Sequence, residues 1–109
     1  MENTTLSSLT LEIATILRSG MFGEFQCVDA RIDGFIRTIA FDTFDDVEIR
    51  IVMNCAYAEV FVGKNSLGNA IDIRIVNESE FYMWLGMEIQ RALDLSENIA
   101  KFKSYLMED

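Results

Sequence analysis

Residues 35–53, FIRTIAFDTFDDVEIRIVM, constrain this chain more than any other stretch. Two runs rich in β-branched and aromatic residues flank Asp42-Thr43-Phe44-Asp45-Asp46. In the second run Val47, Ile49, Ile51 and Met53 fall on one side and Glu48, Arg50 and Val52 on the other, because side chains alternate along a strand. Two such runs joined by a short polar turn pair as antiparallel neighbours. The pattern predicts a central hairpin whose tip is the most acidic point of the chain.

The flanking sequence extends this sheet. Residues 6–19 carry Leu6, Leu9, Ile13, Ile16 and Leu17 at helical spacing, with Leu11 on the far side. Ser, Thr and Asn at the start supply caps, and Gly20 supplies a left-handed stop. Residues 24–32 read as a strand with Val28, Ala30 and Ile32 inward and Asp29, Arg31 and Asp33 outward. Asp33-Gly34 is a two-residue hairpin signal, which sets Ile32 opposite Phe35 and a return strand over 35–41. A fourth strand covers 56–62, a turn 63–69 and a fifth strand 70–76, with Ile71, Ile73 and Ile75 inward.

Asn77 with Glu80 three residues on forms a capping box, followed by the helical stripe Phe81, Leu85, Ile89 and Ala92. Asp94-Leu95-Ser96-Glu97 offers a second cap, and Leu95, Ile99, Phe102 and Leu106 a second stripe. No proline forces a break, so one kinked helix and two separate helices both fit. The expected fold is α+β: one domain over residues 1–109, with a single five-stranded antiparallel sheet. An N-terminal helix and one or two C-terminal helices pack on one face of it.

Charge and composition narrow the chemistry. The net charge is −9, of which residues 24–46 carry −4 and residues 47–77 none. So acidic a balance argues against direct nucleic-acid binding, which depends on Lys and Arg, and is compatible with a basic protein partner. There is no histidine, which removes His-based triads, His metal sites and a His general base. No Gly-rich phosphate loop or zinc spacing appears. Cys27 and Cys55 lie outside any CxxC or metal spacing and read as buried small hydrophobes in a reducing compartment. MENTTLSS lacks the basic and apolar regions of a signal peptide, and no run is long enough to span a membrane. A cytoplasmic, non-enzymatic protein without cofactors is the expectation.

Four groups of residues are candidates for function. Asp42, Asp45, Asp46 and Glu48 could ligate a hard cation, but their spacing is not that of a calcium loop. With Phe44 they also suit contact with a basic partner. Asp29 and Asp33 could do acid–base work, though Arg31 and Arg37 are placed to pair with them. On the outward sheet face Glu48, Arg50, Glu59, Asp72, Arg74 and Arg37 read as a solvated charge ladder. With Tyr57, Phe61, Val52 and Val76 among them, they read equally as a binding surface. Met83 and Met87, with Trp84 at the edge, form a second apolar patch on the penultimate helix, covered by the last helix or used as a homodimer interface.

The acidic density around Asp42-Thr43-Phe44-Asp45-Asp46-Val47-Glu48, together with the missing catalytic residues, resembles the small acidic immunity proteins of bacterial contact-dependent growth inhibition systems. That resemblance implies a protein that neutralises a cognate basic toxin, such as a nuclease, by placing carboxylates in its cleft. The contact residues it implies are Asp42, Phe44, Asp45, Asp46 and Glu48, with Asp29, Asp33, Glu59 and Asp72 next. The outline is also similar to dimeric type III secretion chaperones, which usually place a helix between strands three and four where this chain has none. Acidic phage-encoded inhibitors of host defence share it as well.

Overall fold

In the computed structural model, which describes residues 5–107, the chain opens with α1 (Leu6–Ser19). The Thr5 hydroxyl caps it by accepting the Ser8 N–H, and Gly20 ends it at φ 84°, a conformation glycine adopts without a Cβ clash. The buried side is Leu9, Thr10, Ile13, Ala14 and Leu17, and Leu11 faces solvent as the spacing predicts. Residues 1–4, the start of the stretch read as lacking a leader, lie outside the described part.

Strands β1 (Gln26–Asp33), β2 (Ile36–Asp42), β3 (Glu48–Met53) and β4 (Tyr57–Val62) then pair antiparallel in sequence order. Two short strands, β5 (Asn65–Ser66) and β6 (Ile71–Asp72), both pair with β4. The inner face carries Ile39 and Phe41, then Ile49, Ile51 and Met53, then Ala58, Val60 and Val62, all buried. α1 lies over β1 and β2, and α2 (Glu78–Met107) over β4. Both helices therefore cover one face, and Phe81, Leu85, Ile89 and Ala92 close the core. Burying a side chain of this size stabilises the fold by roughly 1.5–3 kcal/mol. No helix among the described residues is long and apolar enough to cross a membrane.

Several expectations need correction. The first hairpin turns on Gly34-Phe35, because Asp33 pairs with Ile36 and Ile32 with Arg37. Gly34 sits at φ 60° as the first central residue, which leaves Phe35 90% exposed at the tip. Arg37 lies on the inner side and not the outer, opposite Met53, where its guanidinium donates to the Gly34 and Ile36 carbonyls. Ala30 and Ile32 are exposed, because β1 is an edge strand with little above it at this end.

The strand expected over 70–76 stops at Asp72. The Asp72 carboxylate accepts the Arg74 N–H, an Asx turn that bends the chain and leaves Ile75 exposed. Within the expected turn 63–69, Gly63 at φ 59° instead folds β5 back onto β4.

The C-terminal region is one helix of 30 residues. Asn77 caps it, its Oδ1 accepting the Glu80 N–H. The second cap is unused: Ser96 Oγ donates back to the Leu93 carbonyl, and Gln90 reaches Asp94 one turn on. Because the chain does not double back, nothing covers Met83 and Met87 among the described residues, and both are exposed. Phe102 and Leu106, read as part of the second stripe, are exposed too. Cys27 and Cys55 are free and exposed, not buried; Cys27 sits at φ 54° in the bulge that shifts the β1–β2 register.

Candidate functional site

The ladder registers place the predicted carboxylates in rows across the outer sheet face. Gln26, Asp42 and Glu48 form the row beside the acidic turn. Asp29, Ala40, Arg50 and Phe61 form the next, then Arg31, Thr38, Val52 and Glu59. Asp33 with Ile36, and Tyr57 with Asp72, mark the far end. Alternate residues lie about 7 Å apart along a strand, so the first and last rows are roughly 20 Å apart. Asp42, Phe44, Asp45, Asp46 and Glu48 thus come together at one end, with Asp29 a row away. Asp33, Glu59 and Asp72 do not join them.

The cations of this face are committed. Arg31 binds Asp29 at 2.8 Å and Arg74 binds Asp72 at 2.8 Å. Arg50 lies 3.5 Å from Glu48, donates to the Gly63 carbonyl and stacks over Phe61 at 5.0 Å. Arg74 stacks similarly over Tyr57 at 5.4 Å. The bond to Asp29, then its charge, raises the Arg31 pKa, with Glu48 and Asp42 adding weaker attraction. Its bond to Arg74 holds the Asp72 carboxyl below its usual range. Most of the face is thus a self-neutralised ladder of charges around stacked rings, with a shallow apolar hollow of about 310 Å³ lined by Ile36, Val52, Tyr57 and Phe61.

The acidic turn differs. Thr43 is buried; its N–H donates to the Val47 carbonyl and its carbonyl accepts the Asp46 N–H. The Val47 N–H also reaches Thr43 Oγ1. Asp46 sits at φ 59°. This is a three-residue hairpin loop, a tight turn closed by a left-handed residue, with Phe44, Asp45 and Asp46 at its tip. Buried Val47 and Thr43 anchor it, and Phe44 stands 69% exposed. Among the described residues neither Asp45 nor Asp46 joins an ion pair, and nor does Asp42.

Beside Phe44 runs an open groove of about 380 Å³, floored by the Gly20–Phe25 segment and edged by Arg18 and Glu24. Phe25 packs on Phe41 with ring centroids 4.5 Å apart, so the groove floor is tied to the core. Among the described residues no three His, Cys, Asp or Glu side chains are grouped to hold a metal ion.

Of the helix patch, Trp84 is spoken for: its Nε1–H donates to the Asn69 carbonyl, and its ring lies 5.7 Å from Phe81. Met83 and Met87 remain as exposed apolar residues beside it. Two further features escaped the sequence reading. The groove beside Phe44 joins segments 20 residues apart, and no local pattern marks it. Phe35 and Ile32 are exposed at the opposite hairpin, and only the position of Gly34 within its turn reveals this. Comparison with protein-family models, with characterised proteins and with solved structures finds no match for this chain.

Proposed function

We propose that this chain is a non-catalytic inhibitor of the immunity-protein kind, which neutralises a basic toxin by docking its acidic turn into the toxin's cleft. One observation carries the reading: Asp42, Asp45 and Asp46 form no ion pair among the described residues, Asp42 attracting Arg31 only weakly, and they stand on a tight loop around an exposed phenylalanine. Uncompensated charge of one sign steers a partner of opposite sign and speeds encounter. A desolvated aromatic at the centre of such a contact supplies affinity that rim charges do not. The groove beside Phe44, edged by Arg18 as well as Glu24, offers room for a side chain of the partner.

The test uses the chain as bait in cells of its host, with Asp45→Lys combined with Asp46→Asn as control. Asn keeps the left-handed conformation at 46, so the control alters charge and not loop shape. The expected result is one basic protein, held by the unaltered chain, released as salt rises, and lost in the control. For that purified partner the association rate falls about tenfold or more in the control. Equal retention and equal rates would overturn the proposal.

A further inference from the structure

The second half of α2 repeats the spacing of its first half, and beyond Ile99 nothing among the described residues covers it. Phe81, Leu85, Glu88 and Ala92 face the core, and Leu95, Ile99, Phe102 and Leu106 continue the same alternation of four and three residues. That is the heptad seam of packed helix pairs. The body of the protein covers α2 only as far as Ser96, which is buried, and Ile99, which touches the core cluster. One heptad after Ser96 the equivalent position is Lys103, which is exposed. A helix of 30 residues is about 45 Å long, against a molecule measuring 54 × 27 × 24 Å. Its last turns stand clear of the sheet with Phe102, Tyr105 and Leu106 at 64%, 77% and 61% exposure.

From this we infer that α2 pairs with α2 of a second copy, antiparallel, across Leu95, Ile99, Phe102 and Leu106. The seam's spacing of four, three and four reads the same in both directions. A two-fold axis between residues 100 and 101 therefore sets Leu95 against Leu106 and Ile99 against Phe102, twice over. Within the seam, residues 95–107 carry Glu97 against Lys101 and Lys103, and Asp94, Glu108 and Asp109 lie at its ends, so the acidic excess falls outside the paired stretch. The antiparallel sense also holds the two negative bodies at opposite ends, whereas a parallel pair would set them side by side.

Aromatic side chains bury about 150–250 Å² each. The exposed surfaces of Leu95, Phe102, Tyr105 and Leu106 therefore remove roughly 400 Å² per copy and about 800 Å² in all. Specific interfaces begin near about 1,000 Å², so this dimer is weak and forms reversibly as concentration rises. The pairing leaves the acidic turn uncovered and does not depend on what that turn binds.

Sedimentation of the whole chain over about 5–500 µM tests the pairing. The unaltered chain passes reversibly from monomer to dimer. Phe102→Glu puts a charge in the seam and raises the dissociation constant about 30-fold or more, while Met83→Glu, off the seam, leaves it unchanged. Both sites are exposed in the monomer, so circular dichroism of each variant matches the parent; Leu106→Lys repeats the seam test on a second residue. Orientation is read in a Cys27→Ser, Cys55→Ser background. There Leu95→Cys with Leu106→Cys forms a disulfide-linked dimer, and neither change alone does. A monomer at every concentration, a dimer indifferent to Phe102→Glu and Leu106→Lys, or a cross-link through Leu95→Cys alone would overturn the inference.

Discussion

Asp42 and Glu48 stand directly opposite each other where the β2–β3 ladder enters the acidic turn. Like charges so placed repel across the strands, by a few tenths of a kcal/mol to about 1 kcal/mol. Glu48 has Arg50 3.5 Å away, and Asp42 has no ion pair among the described residues. Asp42→Asn is therefore expected to raise unfolding stability by about 0.3–1 kcal/mol, measured by urea denaturation. The gain shrinks at high salt, which screens the repulsion it removes. If the turn meets a basic partner, the same change weakens that contact, so stability and association move in opposite directions.

Asp46 holds φ 59° without being glycine. A left-handed residue with a Cβ is strained, and Asp and Asn tolerate it best. Asp46→Gly should stabilise by up to about 1 kcal/mol, and Asp46→Val should destabilise by about 1–2 kcal/mol. Midpoints of denaturant unfolding check both, and equal midpoints would show that the loop relaxes to another shape.

Tyr82 gives the chain an alkaline limit. Its hydroxyl is shielded from solvent, beside the Glu12 carboxylate. Burial raises its pKa well above the usual phenol value, and hydrogen bonding to Glu12, with that carboxylate's charge, adds to the rise. The unfolded chain then loses this proton near pH ~10 while the folded chain keeps it. Stability is full below that pH and falls as pH rises beyond it. Tyr82→Phe should flatten this slope between pH ~9 and ~11.5. Unfolding curves of both proteins across that range decide it.

Glu88 is a carboxylate only 1% exposed. Its Oε1 accepts Asn69 Nδ2 at 2.8 Å and Arg91 at 2.9 Å, and its Oε2 is shielded and accepts no hydrogen bond among the described residues. Asn69→Ala removes one of two donors from a buried charge and should cost about 1–3 kcal/mol in a thermal or urea melt. Glu88→Gln, which keeps an acceptor for Asn69 and removes the charge, should cost less. Equal costs would mean that the charge is solvated in the folded chain.

The elements that sequence makes legible are those with local causes. α1 lies between Thr5 and Gly20 because cap chemistry needs only neighbouring residues. The core faces of β3 and β4 follow from strict alternation. Where one signal admits two geometries, the sequence is silent. A glycine beside Asp33 serves as either central residue of a hairpin turn, and the choice moves Phe35 from strand to tip and the partner of Arg37 from Ala30 to Ile32, with Arg37 on the inner face in either register. The Ile71, Ile73, Ile75 alternation looks like a strand until the Asp72 side chain takes the Arg74 N–H. The Asp94–Glu97 cap is equally valid chemistry that the helix overrides. Of the candidate contact residues, the turn is readable because it is contiguous. The separation of Asp33, Glu59 and Asp72 from it depends on register, which alternation leaves open by two residues at a time.

The loop geometry of Thr43 to Val47 also bears on how such a surface could change over generations. Its demanding positions are Thr43 and Val47, buried and bonded to each other, and Asp46 with its left-handed backbone. Phe44 and Asp45 occupy places that accept almost any residue. Their side chains meet solvent and not the core. The tip can therefore be rewritten without renegotiating the fold, so a lineage tracking a changing counterpart needs few compensating substitutions elsewhere.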